Sequence, residues 1–173
     1  MKKLIVSAIT LLTVSALFAF TTLQNWKIKE THQISFSSNE VNGVFKTFTG
    51  TIAFDATDLA KSKFDLTIDV ASINTGNGLM NKHAKGDDWF NAEKFPSINF
   101  TSSKIEKSGT DFKAIGTLEM HGIKKDFTVP FSFKKNIFKA NFSVNRVDFK
   151  VGKAGNDVSS VLKIDATIPV TKK

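Results

Sequence analysis

Residues 64–70 read Phe-Asp-Leu-Thr-Ile-Asp-Val, apolar and polar side chains in strict alternation. A strand sends successive side chains to opposite faces, so this run presents one face to a core and one to water. The pattern recurs along the chain. Trp26, Ile28, Ile34 and Phe36 share a parity in 26–36, and Val44, Phe48, Ile52 and Phe54 line up in 44–54. Ile98 and Phe100 follow, then Phe112, Ala114, Gly116, Leu118 and Met120. Phe127, Val129, Phe131 and Phe133 make the next face, although Pro130 marks that strand as an edge or a bulge. Phe138, Ala140, Phe142 and Val144 precede Leu162, Ile164, Ala166 and Ile168. Turn formers separate the runs: Asn42-Gly43, Ser108-Gly109, His121-Gly122, Lys135-Asn136 and the stretch 152–156. Short turns make antiparallel connections. The reading is all-β, with about eight strands. A single sheet of that size must curl to hide its apolar face, and closure into a barrel also removes its edges. A two-sheet sandwich is the competing solution.

The N-terminus stands apart from this rhythm. Met1-Lys2-Lys3 is a positive start, residues 4–20 carry no charge, and Ala16 and Ala19 are small residues near the end of the run. This is the pattern of a secretory signal peptide, 1–19, with a single domain over 20–173. A retained anchor is the alternative, because the uncharged run is near the lower limit for spanning a bilayer. The expected localisation is periplasmic or secreted.

The chain has no cysteine, which excludes a disulfide scaffold, a thiolate metal site and a cysteine nucleophile. The net charge of +8 is built from lysine, with Arg146 the one arginine. Nucleic-acid readers lean on arginine forks, so no nucleic-acid partner is expected. His32, His83 and His121 fall in no metal-binding spacing, and no nucleotide or nucleophile-elbow motif occurs. Asp65 and Asp69 share the outward face of their strand. No catalytic residue, metal or cofactor is expected. The 17 phenylalanines, with no tyrosine, fall largely on inward parities. They can fill a solid core or line a cavity, since an eight-stranded barrel is just wide enough to hold a ligand.

From Asn74 to Pro96 the alternation stops. A long irregular stretch is usually functional or disordered, and Leu79, Met80, Trp89, Phe90 and Phe95 make this one too apolar for disorder. Leu79, Met80, His83 and Ala84 are spaced to share a face of a short helix, and Asp87-Asp88 to cap a turn before Trp89. The segment reads as a lid over one end of the barrel. Arg146 and Asp148, two apart, are expected on one strand face in a structural role, the arginine holding carbonyls with its fork.

Taken in order, these motifs resemble the YceI-like family of secreted bacterial proteins. The resemblance runs through His32-Gln33-Ile34-Ser35-Phe36, Gly43-x-Phe45-x-x-Phe48-x-Gly50 and Ser72-Ile73-Asn74-Thr75-Gly76-Asn77. It continues through His83, Asp88-Trp89-Phe90, Phe95-Pro96-x-Ile98-x-Phe100-x-Ser102, Gly116-x-Leu118-x-Met120-His121-Gly122-Ile123 and Asn145-Arg146-x-Asp148-Phe149. The chain departs from the family pattern at Met80-Asn81, where relatives carry Arg-Asp, at Ala84, and at Lys150.

The resemblance implies a lipocalin-like antiparallel barrel whose lumen takes an isoprenoid or other long-chain lipid. Phe36, Phe48, Phe64, Leu66, Phe100, Leu118, Phe142 and Ile164 become candidate lumen contacts, with Leu79 and Met80 of the lid touching the tail and Asn77 and His83 any polar head. The mechanism would be carriage, with transient membrane contact, and the oligomeric state is left open, a dimer among the options. Two other classes compete: an enzyme acting on such a lipid with His32 or His83 as acid–base, and a solid-core module binding envelope surfaces through its lysines.

Overall fold

A computed structural model describes residues 23–173. The signal-peptide reading and the mature start near Phe20 lie outside the described residues. Eleven strand segments form one antiparallel sheet: β1 (Asn25–Ile28), β2 (Gln33–Ser37), β3 (Asn42–Phe45), β4 (Phe48–Ala53), β5 (Lys63–Asp69), β6 (Ile73–Asn74), β7 (Ser97–Ser108), β8 (Asp111–Met120), β9 (Ile123–Lys134), β10 (Ile137–Asn145) and β11 (Val161–Lys172). A single helix, α1 (Gly78–Lys85), lies between β6 and β7.

The eleven segments are eight bent strands. β1 and β2 both lie along β11, Ile28 opposite Val170 and Gln33 opposite Thr167. β3 and β4 pair with β2 and β1 in turn, and β6 and β5 continue the series against β3 and β4. From β5 the sheet runs through β7, β8, β9, β10 and β11, and β11 pairs with β1 to close the ring. The expected eight-stranded antiparallel barrel is the observed fold.

Parity holds wherever a strand is straight. On β5, Phe64, Leu66 and Ile68 face the core, as does Val70 just beyond its end, while Asp65 is exposed. On β8 every even position from Phe112 to Met120 is buried. The reading fails where a strand bends. Phe45, not Val44, is buried on β3, whereas Phe48 is buried on β4. Two residues, Lys46 and Thr47, separate the segments, so the inward parity slips by one at the bend. Gly50 follows on β4 at φ +143°, where a Cβ would stand 2.2 Å from the Asp65 carbonyl oxygen, so only glycine fits.

Two further expectations are corrected. β9 lies between β8 and β10, so Pro130 does not make it an edge strand, although its ladder to β10 is short. Arg146 and Asp148 do not lie on a strand. Arg146–Phe149 is a 3₁₀ turn capped by the Asn145 side chain, which accepts from the Val147 N–H.

Candidate functional site

The barrel is packed solid at one end and hollow at the other. At the solid end Phe54, 1 % exposed, is the hub. Its ring lies 5.1–6.2 Å from those of Phe64, Phe112, Phe131, Phe133 and Phe138, mostly edge-to-face. Trp26 packs on Phe133 at 5.0 Å and donates its indole N–H to the Phe54 carbonyl at 2.9 Å. These quadrupole-matched contacts plug that end of the axis.

Above the plug the inward side chains shrink. Ala140 and Ala166 pair across β10 and β11, with Ile34 next to Ala166 on β2. Small residues on adjacent strands leave the centre empty. An inner cavity of about 130 Å³ is lined by Phe48, Phe64, Leu66, Phe100, Leu118, Phe142 and Ile164 among others, almost wholly apolar. A second, of about 110 Å³, shares Ile34, Ile68, Ile98, Leu118, Phe142 and Ile164 with it and adds Phe36, Phe45 and Phe90. A third, of about 200 Å³, lies beneath the lid and shares Phe36, Phe90, Arg146 and Leu162 with the second. The series forms an apolar lumen leading to a more polar vestibule.

The lid carries the predicted short helix but differs from the sequence reading at Asn74, at Leu79 and at Asp87-Asp88, where the Trp89 N–H donates to the Gly86 carbonyl at 3.0 Å instead of to an aspartate side chain. Asn74 belongs to β6, so the irregular segment is 75–96. Asn77 caps α1, its side-chain oxygen accepting from the Leu79 and Met80 N–H groups at 2.9 and 3.0 Å. Met80, His83 and Ala84 face the vestibule. Leu79 lies about 100° round the helix from Met80 and is 63 % exposed. Asn77, engaged as a cap, and Leu79, turned to water, stand outside the cavities; the other ten candidate contacts line them. Phe90 descends from the lid to meet Phe45 edge-on at 6.0 Å.

Arg146 fastens the rim. It is 2 % exposed, and burial lowers its pKa from the ordinary arginine value. It donates to the carbonyls of Ser159, Val151, Lys153 and Val158 and to the Asn156 side chain. Its guanidinium lies 4.9 Å from the Trp89 ring centre, joining the 151–160 loop to the lid. At Gly152, φ +67°, a Cβ would approach Arg146 Nη1 to 2.7 Å and the Trp89 ring to 3.0 Å.

His83 has no carboxylate beside it in these cavities, whose linings contain no Asp or Glu, and His32 lines none of them, sitting with Glu30 in a separate surface hollow. His32 lies in the turn between β1 and β2, its Nδ1 2.9 Å from the Lys29 carbonyl. Among the described residues no cluster of three His, Cys, Asp or Glu side chains is placed to hold a metal.

Residues 24–171 match the family of YceI-like domains. The chain belongs to the YceI-like family. Protein YceI of Escherichia coli O17:K52:H18 is 29% identical over 137 residues, 71% of this chain and 72% of that one. The YceI-like barrel superposes on the crystal structure of BcnA of Burkholderia cenocepacia with a TM-score of 0.77 and 28% identity, covering 84% of this chain and 99% of the other. A polyisoprenoid binding domain from Saccharophagus degradans shares the fold, with a TM-score of 0.62 at 16% identity over 88% of this chain and 100% of that domain.

Several lumen residues of the YceI-like barrel escaped the sequence-based site: Ile34, Ile68, Ile98 and Phe138 line the inner cavity, and Phe90 and Leu162 the passage to the vestibule. Ile34, Ile68, Ile98, Phe138 and Leu162 share the inward parity of the residues chosen, and that parity was the available signal.

Proposed function

We propose that this protein is an exported carrier that sequesters an isoprenoid-type lipid in the barrel lumen. The observation that carries the reading is the run of three adjoining cavities, apolar inside and polar only at the vestibule. Burial brings about 0.8 kcal/mol per CH₂-sized group, hence roughly 4 per isoprene unit. A few buried units offset association costs of ~4–15 kcal/mol without any sharp polar contact. The uncharged run at 4–20 supports export. The fold shared with a polyisoprenoid binding domain supports the ligand class. Carriage is favoured over catalysis because the linings offer one histidine, His83, and no carboxylate partner.

The vestibule also favours a small, weakly charged head group. Arg146, which lines the vestibule, spends its N–H groups on backbone carbonyls and Asn156. Met80 occupies the lid position where relatives carry arginine, leaving His83 as the vestibule's other basic side chain.

Equilibrium titration with geranylgeraniol and geranylgeranyl pyrophosphate tests this. Both should bind, with no strong preference for the pyrophosphate. Ala166→Phe, which fills the hollow layer, should weaken both about tenfold, or ~1.4 kcal/mol, while the melting temperature holds. Undiminished binding in Ala166→Phe would place the ligand outside the barrel and move surface binding ahead.

A further inference from the structure

We propose that the lipid tail enters the barrel sideways, through a split in its wall between β9 and β10; this rests on the lipid-binding reading above. β9 is laddered to β8 without a break over 123–131, from Phe112↔Phe131 to Met120↔Ile123. Its ladder to β10 has four pairs and stops at Ala140↔Phe131. β10 stays paired with β11 as far as Asn145. Residues 123–130 and 141–145 therefore have a ladder partner on one side only. Extending the register would set Pro130 opposite Asn141, and proline has no N–H to offer there. The ladder thus ends where the sequence places a residue that cannot continue it.

Beyond that point the wall is made of side chains. Phe127 of β9 and Phe142 of β10 meet edge-to-face with centroids 5.6 Å apart, and both are half-buried. They line the inner cavity with Val129 and Ala140 beside them. Two rings can part by rotamer change on a fast timescale, whereas a laddered seam opens only by breaking backbone hydrogen bonds. Lys125 marks the same split. It has the inward parity of β9 and sits opposite buried Leu118. A lysine aimed into a sealed apolar lumen would carry a heavy desolvation cost. Lys125 is instead exposed, its ammonium 5.9 Å from the Phe149 ring centre.

The wall also parts between β6 and β7, where the β5–β7 ladder ends at Asp69↔Ser97 and β6 pairs with β3. There the 75–96 segment leaves from one lip and returns at the other, tied by the Val70 N–H to the Pro96 carbonyl at 2.9 Å. The β9–β10 split carries no such segment, because its two strands are joined directly at the far end by Lys135-Asn136. It is the opening that a tail can use without displacing the lid.

The absence of cysteine allows a clean test. Thr128 and Ser143 are exposed on the outer face and fall opposite each other in the extended register. Thr128→Cys with Ser143→Cys, joined by a short bis-maleimide, clamps the split without filling the lumen. Retinol, a fluorescent isoprenoid alcohol, is followed by stopped flow from phosphatidylcholine vesicles into clamped and unclamped protein. The clamp should slow uptake and release about tenfold each and leave Kd unchanged. Pro130→Thr, which restores the donor, should slow both in the same direction, and Phe127→Ala with Phe142→Ala should speed them. Unchanged rates in fully clamped protein overturn the doorway while equilibrium binding still stands. Loss of retinol binding from the unclamped protein overturns the lipid reading and the doorway with it.

Discussion

Phe54 and Phe142 are the same residue type on the same inner surface, yet their surroundings differ sharply. Phe54 has five aromatic rings within 6.2 Å and is 1 % exposed. Among the described residues Phe142 meets the ring of Phe127 alone, and it borders empty space on its inner side. The difference lies in the side chains that share each residue's level of the barrel. At the solid end, large rings from β5, β8, β9 and β10 converge on a residue that closes β4. At the hollow end the layer beside Phe142 holds Ala140 on its own strand, Ala166 on β11 and Ile34 on β2. The choice between solid core and ligand cavity, which composition leaves open, is resolved by position: the barrel has both, stacked along its axis.

The largest expected effect breaks this contrast directly. Phe54→Ala removes the hub of a close-packed cluster and should cost about 3–5 kcal/mol of stability. Phe142→Ala enlarges a space that already exists, so the neighbours lose few contacts and the cost should be about 1–2 kcal/mol. Urea titrations of the two variants measure the difference directly. Equal costs would mean the hollow end is packed as tightly as the plug.

The hollow end needs another source of rigidity, and the rim supplies it through hydrogen bonds. Arg146 satisfies four backbone carbonyls and the Asn156 side chain from one guanidinium. Arg146→Ala strands those acceptors and should cost about 2–3 kcal/mol. Arg146→Lys should rescue little, because an ammonium has three donors on a point and cannot reproduce the planar fork. Thermal unfolding distinguishes the variants. A stability equal to wild type, with lipid affinity lost, would move Arg146 from the frame into the binding site.

Most of the barrel was legible because alternation is a local signal: β5 and β8 follow it without a break. The failures cluster where chain direction changes. A single parity carried through 44–54 puts Val44 inward, and the bend at Lys46-Thr47 reverses it. The two-residue spacing of Arg146 and Asp148 reads as a strand because it cannot distinguish a strand from a 3₁₀ turn begun by Asn145. The spacing of Leu79, Met80, His83 and Ala84 fits one helix face, yet neighbours in a helix point about 100° apart, and the structure turns Leu79 to water while the other three face the vestibule. Pro130 carried real information in a coarser form. It does not make β9 an edge strand, but the β10 ladder ends beside it. The empty layer was the least legible feature, since Ala140 and Ala166 meet only through pairing of β10 with β11.

The smallest effect concerns the outermost fastening of the same rim. Glu40, in the turn between β2 and β3, accepts from the Ser159 hydroxyl and N–H at 2.8 and 3.1 Å and from the Ser38 hydroxyl at 2.8 Å. The Ser159 hydroxyl, foremost among these donors, helps hold its pKa down at about 2, against an ordinary value of 4.5. The folded state thus prefers the charged carboxylate. Its contribution is complete above the unfolded value and disappears as the pH falls from about 4.5 through about 2. The group is exposed, so the contribution is screened and small. Glu40→Gln should slightly lower the melting temperature at neutral pH, and that deficit should shrink across this acid window. The 151–160 loop should lose amide-exchange protection at Ser159, while the Phe54 plug is unaffected. A deficit that is the same at pH 2 and pH 7 would show that the Glu40 contact works by shape alone, with no charge held at the rim.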